Sequence, residues 1–293
     1  MTTKYIVDNL SGQTINGDLT INGIVSGNIN ISNNTLIIDG NESDFYKYVP
    51  LNQYITGTNR LPYSNITIKN IEGTNTININ GYLLKNLTIT NCTGLTSLSI
   101  EAPQLTSFNI PQGLTNLTFF GATGINNQRF GLPSAPDLTP SEDTLQSIRF
   151  NATQTQFTDV NYFQINNKAN ITILDLLSSL QLNNTLPVGL FNGLTGLNEL
   201  VLSEMGLQDI DAGMFSFLES GNIGLFLNLA SNQLTESSID NIITDCLDRA
   251  TNNGAINLFL ALGDGTNATP SAQALLDINT LISTYGWSIS YNP

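Results

Sequence analysis

The chain has 293 residues, enough for two or three ordinary domains or for one long repeat array, and 23 acidic against nine basic residues give it a net charge of -14. Nine scattered cations form no patch able to neutralise phosphates, which excludes nucleic acid as a partner. The lack of any His and of a Cys-x-x-Cys pair excludes zinc sites and Ser-His-Asp chemistry, while 40% hydrophobic residues are enough to build a core rather than leave the chain disordered.

The start, MTTKYIVDNLSGQTING, has no charged lead into an apolar run, and no later stretch approaches the 18 apolar residues of a membrane span. A soluble protein made in a cytoplasm, without membrane insertion, is expected. On that reading the Asn-x-Thr triplets at Asn86, Asn116 and Asn170 reflect composition, not glycosylation. Cys92 and Cys246 fall in separate core-like segments and read as two buried thiols.

Residues 11 to 38 place Ile15, Leu19, Ile21, Ile24, Ile29 and Ile31 among Gly and Asn, the pattern of short strands and tight turns. The phrase TINGDLTING resembles stretches near the N-termini of phage fibre and appendage proteins, which implies a β-rich attachment or oligomerisation segment over 1–63. Within it Phe45, Tyr46, Tyr48, Tyr54 and Tyr63 form an aromatic cluster suited to capping a repeat array, to self-association or to stacking on carbohydrate.

Alternation begins at Ile66/Ile68 and Ile77/Ile79 and runs into a repeat: LKNLTI, LTSLSI, LTSFNI and LTNLTF, starting at 84, 95, 105 and 114. Its anchors are Leu84/Leu87/Ile89, Leu95/Leu98/Ile100, Leu105/Phe108/Ile110 and Leu114/Leu117/Phe119, each ending on the two-residue spacing of a strand face. The half-units resemble irregular leucine-rich repeats in which two make one coil of about 21 residues. Between the last anchors lie Thr88, Ser99, Asn109 and Thr118, an uncharged outward row suited to a glycan or flat protein partner. This short-repeat region spans 64–123.

Residues 124–169 interrupt the pattern with Pro133, Pro136 and Pro140, and 125 to 145 is a candidate contact loop. Strand spacing returns at Leu145/Ile148/Phe150 and Ile171/Leu174/Leu176. From 170 to 235 the chain resembles ordinary leucine-rich repeats, L-x-x-L-x-L-x-x-N-x-L. The matches are Leu180/Leu182/Asn184, Leu197/Leu200/Leu202/Leu207 and Leu227/Leu229/Asn232/Leu234, with LPVGLF and DIDAGMF as the convex halves. Met205 stands where the pattern has Asn, which predicts a looser turn there.

Beyond Asn232, a helix capped by Thr235 or Ser237 is expected with Ile239, Ile242, Ile243, Cys246 and Leu247 on one face, ending near Asn252-Asn253-Gly254. After the strand AINLFLAL a second helix opens at Pro270-Ser271, with Ala274, Leu275, Ile278, Leu281 and Ile282 on its apolar face, stops at Gly286, and leads into WSISY. With T-E-x-S, N-x-x-P-S-A and G-W-x-x-x, this tail resembles a C-terminal module of phage tail and fibre proteins. The fold class expected is α/β: a strand-dominated solenoid, a leucine-rich-repeat-like right-handed coil with a parallel sheet and helix-containing C-terminal repeats, the last region spanning 170–293.

No phosphate loop or dinucleotide fingerprint is present, and Gly263-Asp264-Gly265 reads as a strand-to-helix loop. Carboxylates alone hydrolyse glycosides, and the candidate pairs are Asp209 with Asp211, Glu101, or Asp39 with Glu42 and Asp44, all among turn residues. The resemblances imply a non-enzymatic phage virion structural protein without cofactor: a fibre, decoration or host-adhesion component located in the virion. Its implied partners are other virion proteins, itself as a homotrimer, and a host surface glycan or protein. The alternatives are a bacterial leucine-rich-repeat surface adhesin, which needs an export signal, and a polysaccharide-degrading fibre. No catalytic, metal or binding residue set is assigned by the sequence.

Overall fold

The computed structural model describes residues 3–5, 18–22, 24–25, 28–32, 35–39, 49–50, 64–69, 76–80, 83–92, 94–102, 104–105, 107–109, 116–123, 143–151, 168–177, 184–217, 224–253 and 258–293. The chain forms two compact units, Met1–Leu145 and Gln146–Pro293. The class is α/β, with strands mostly in parallel register and few helices.

The first unit opens with β1 (Thr3–Tyr5), β2 (Asp18–Asn22), β3 (Ile24–Val25), β4 (Asn28–Ser32), β5 (Thr35–Asp39) and β6 (Val49–Pro50). Of these, β1 pairs with β4, β4 with β5 and β3 with β6, all antiparallel. Then β7 (Asn65–Lys69), β8 (Thr76–Asn80), β9 (Asn86–Thr90), β10 (Ser97–Glu101), β11 (Ser107–Asn109) and β12 (Phe119–Thr123) alternate between two sheets. One has the parallel order β5-β7-β9-β11, the other β8-β10-β12, with β2 antiparallel at the β8 edge. Asn65 lies opposite Asn86 and Asn86 opposite Ser107, steps of 21 residues (86 minus 65 and 107 minus 86), matching the period of two half-units. Period-two alternation buries Ile66, Ile68, Leu87 and Ile89 in one sheet and Ile77, Ile79, Leu98 and Ile100 in the other.

The fourth half-unit departs from its predicted frame. It begins at Leu117, not Leu114: Thr118 and Phe119 donate their N–H groups to the Thr96 carbonyl, and Phe120 lies opposite Leu98. Phe120 is therefore fully buried in place of Phe119. The step from Ser97 to Phe119 is 22 residues (119 minus 97), and with a side-chain period of two a one-residue slip exchanges the faces.

In the second unit β13 (Ser147–Asn151), β14 (Ile173–Asp175), β15 (Glu199–Val201), β16 (Phe226–Asn228), β17 (Phe259–Ala261) and β18 (Ser288–Ser290) pair in chain order, each parallel to the next. Their central residues Ile148, Leu174, Leu200, Leu227 and Leu260 are buried. The segments LPVGLF and DIDAGMF bury Leu190, Phe191, Met214 and Phe215, with Phe191 and Phe215 stacked at 6.2 Å. Parallel neighbours need a crossover, supplied by α1 (Glu236–Asn253) between β16 and β17 and α2 (Ala272–Tyr285) between β17 and β18.

Thr235 caps α1, its hydroxyl oxygen accepting from Ser238 N–H at 3.3 Å, and Ile239, Ile242, Ile243 and Cys246 are buried. Ser271 caps α2 and Gly286 closes it in the left-handed region at φ 72°. Ala274, Ile278 and Leu281 form the buried stripe of α2, whereas Ile282, expected on that face, is 42% exposed, because one further residue turns about 100° away from Leu281. Cys92 and Cys246 are free, buried thiols, and burial, reinforced by Asp245, pushes the Cys246 thiol well above its ordinary range.

Candidate recognition face

Three asparagines hold the strands of the second unit in step. Asn232 Oδ1 accepts from Met205 N–H at 3.0 Å and Leu207 N–H at 3.2 Å, while its Nδ2 donates to the carbonyls of Leu202 and Leu229, both at 2.8 Å. Asn267 repeats this one strand later, accepting from Leu234 N–H and donating to Leu229 and Leu262 carbonyls. Asn292 accepts from Asp264 and Gly265 N–H and donates to the Asn267 carbonyl. Each amide thus satisfies backbone groups that the turns leave without sheet partners.

The ladder corrects the expectation about Met205. The amide serves the turn before its own, so the Met205 turn is held by Asn232, and what Met205 fails to supply belongs one repeat upstream. Met205 itself is fully buried and adds to the core. Asn267, the Asn of N-x-x-P-S-A, shows that this motif carries a ladder residue as well as a helix start.

With central residues turned inward, the residues on either side of them in β13 to β18 face outward. Across the sheet in register lie Ser147, Ile173, Glu199, Phe226, Phe259 and Ser288, then Arg149, Asp175, Val201, Asn228, Ala261 and Ser290. Arg149 and Asp175 form an ion pair at 3.5 Å, and Asp175 also accepts from Leu177 N–H. Phe226 and Phe259 are the exposed large apolar residues of the outer row, at 37% and 41%, while Ile173 is half-buried. Their rings stack with centroids 5.1 Å apart and an interplanar angle of 10°. Beside them Asn228 uses Oδ1 to accept from Ala230 N–H, which fixes its amide on the same face.

This aromatic pair was missed by the sequence reading, although its signal is in plain view: LFLNL and LFLAL each set a Phe between two inward leucines. The predicted row Thr88, Ser99, Asn109 and Thr118 is not one row. Thr88 and Asn109 are neighbours on one sheet of the first unit, Ser99 lies on the other, and Thr118 sits at a strand entrance with its hydroxyl donating to the Thr96 carbonyl at 2.9 Å. Consecutive half-units alternate sheets, so outward residues ten apart do not align.

Asp209 and Asp211 are both exposed, flanking the buried Ile210, and Glu101 is half-buried on β10. Asp39 lies on β5, while Glu42, Asp44, the aromatics Phe45, Tyr46, Tyr48, Tyr54 and Tyr63, and 125–142 of the candidate contact loop fall outside the described residues. Gly263-Asp264-Gly265 is the loop between β17 and α2, as expected, and Asp264 Oδ1 accepts from the Thr266 N–H and hydroxyl. Partial burial pushes the Asp264 carboxyl up, and bonds from Ser231 and Thr266 outweigh this, leaving it below the usual value. Among the described residues no three His, Cys, Asp or Glu side chains gather as a metal site, and no helix is long and apolar enough to cross a membrane.

No family model matches the chain, and a search of curated proteins finds no relative.

Proposed function

We propose that the chain is a non-enzymatic binding scaffold: a right-handed, leucine-rich-repeat-like solenoid serving as a phage virion fibre, decoration or host-adhesion component. The observation that carries this reading is the recurrence of one set of backbone bonds from strand to strand. Leu176, Leu202, Leu229 and Leu262 each donate N–H to a carbonyl on the next strand, those of Val201, Asn228, Ala261 and Ser290. A scaffold that repeats its bonds while varying its outward residues presents a rigid grid, which suits recognition more than chemistry. The exposed Phe226–Phe259 pair gives that grid an anchor of the kind that dominates binding surfaces.

On this reading residues 1–63 attach the chain to other virion proteins and to its own copies, as a homotrimer, and the repeat body meets a host surface glycan or protein. Mass spectrometry of purified virions is the direct test. The chain is expected among the particle proteins at a stoichiometry above trace; particles lacking it would overturn the assignment.

A further inference from the structure

From Ala169 to Pro293 the sequence holds twelve Asp and Glu residues and one basic residue, Arg249, which is fully buried in α1. The exposed surface of this stretch therefore offers no cation of its own. Where it also offers exposed apolar area, at Phe226 and Phe259, a carboxylate stands next in register: Glu199 on β15, half-buried. Glu199 has no hydrogen-bond or ion-pair partner among the described residues, unlike Asp175 two strands' width from Phe226, which Arg149 neutralises.

We infer that this face receives a basic segment of a partner protein, with Arg or Lys side chains laid against the phenyl rings and paired with Glu199. Because Phe226 and Phe259 stack on each other, each turns its second face away from its partner, toward β15 and β18 respectively. On the β15 side the residue next in register to Phe226 is Glu199. On the β18 side Ser288 and Ser290 are small and exposed and leave the Phe259 ring open. A guanidinium plane matches both surroundings: it stacks on an aromatic face and forks to a carboxylate. The acidic field of the unit favours approach of such a segment, and the ring pair fixes where it settles. This rests on the scaffold reading above and names the partner class of its recognition face.

The test is calorimetric titration of the full chain, in about 0.15 M salt, with a capped Arg-Ser-Arg-Ser-Arg peptide. Saturable binding is expected, weakened about two- to fivefold in each of Phe226→Thr and Phe259→Thr, with a comparable loss in the near-isosteric Glu199→Gln. Asp248→Asn removes the same charge from an exposed position on α1 and is expected to leave affinity within about twofold, as screening at this salt dictates. Equal losses in all four variants would mean a diffuse acidic field and overturn the site, as would absence of peptide binding. Phe259-dependent binding of neutral maltohexaose without peptide binding would reassign the face to a glycan, and self-association abolished by Phe259→Thr would reassign it to a second copy; either overturns the proposal. Absence from virions, by contrast, overturns the proposed function while leaving a positive titration standing.

Discussion

Asn232 shows how much one residue carries in this architecture. Its amide is fully buried and satisfies two donors and two acceptors of two successive strands, so Asn232→Ala strands several buried backbone groups at once. A loss of about 3 kcal/mol or more is expected, since each unsatisfied buried group costs roughly 1–3 kcal/mol. Urea denaturation checks it through a lowered midpoint at unchanged slope, and a midpoint within error of the parent would mean that water replaces the amide. Asp264 is a residue whose titration bears on stability. Its folded carboxyl lies below the ordinary value of 3.8, so its bonds stabilise the fold above that pH and are lost as pH falls through the lowered folded value. Thermal melts from pH 7 down to about 3 are therefore expected to drop less steeply below about pH 4 for Asp264→Asn than for the parent. Asn232 stands in a sequence motif, but which turn it serves is hidden there, because its partners Leu207 and Leu202 lie 25 and 30 positions away.

At the scale of elements the chain is legible wherever a local signal decides it. Thr235, Ser271 and Gly286 end or begin helices because a hydroxyl satisfies a free N–H and glycine accepts a positive φ, both readable within four residues. Two glycines separate local from tertiary constraint. At Gly286 an added Cβ meets nothing, so Gly286→Ala costs only the left-handed backbone, roughly 1–2 kcal/mol. At Gly196 an added Cβ would overlap the Ala169 carbonyl oxygen, beside the short 3-10 turn Lys168–Asn170. Gly196→Ala is expected to be the more damaging, because the obstacle is backbone and cannot step aside. Paired melting curves of the two variants decide it, and the reverse order would show that the turn yields. The shifted anchor at Phe120 teaches the same distinction: one extra residue between Ser97 and Phe119 is invisible to a search for L-x-x-L spacing and decisive in a sheet.

At the scale of the whole molecule, the proposed trimer predicts a mass in light scattering of three times 31.7 kDa at micromolar concentration. A single chain's mass would count against self-association and restrict the attachment role proposed for 1–63 to contacts with other proteins. The acidic surplus is unevenly shared: the stretch after Lys168 carries most of it, so a charged partner of that surface is expected to bind more weakly as salt rises.

What the sequence by itself determined was the local grammar: the 21-residue period, the alternation that buries Ile66, Ile68, Leu98 and Ile100, the helix caps, and the two buried thiols. Each follows from spacing or from a cap within a few residues, where sterics and hydrogen bonding act along the chain. Tertiary structure alone decided which outward residues are neighbours. The Thr88 row divided between two sheets, while Phe226 and Phe259, 33 positions apart (259 minus 226), came together as one stacked pair. Adjacency across a sheet is set by inter-strand register, and register accumulates every insertion between strands, so no local pattern contains it.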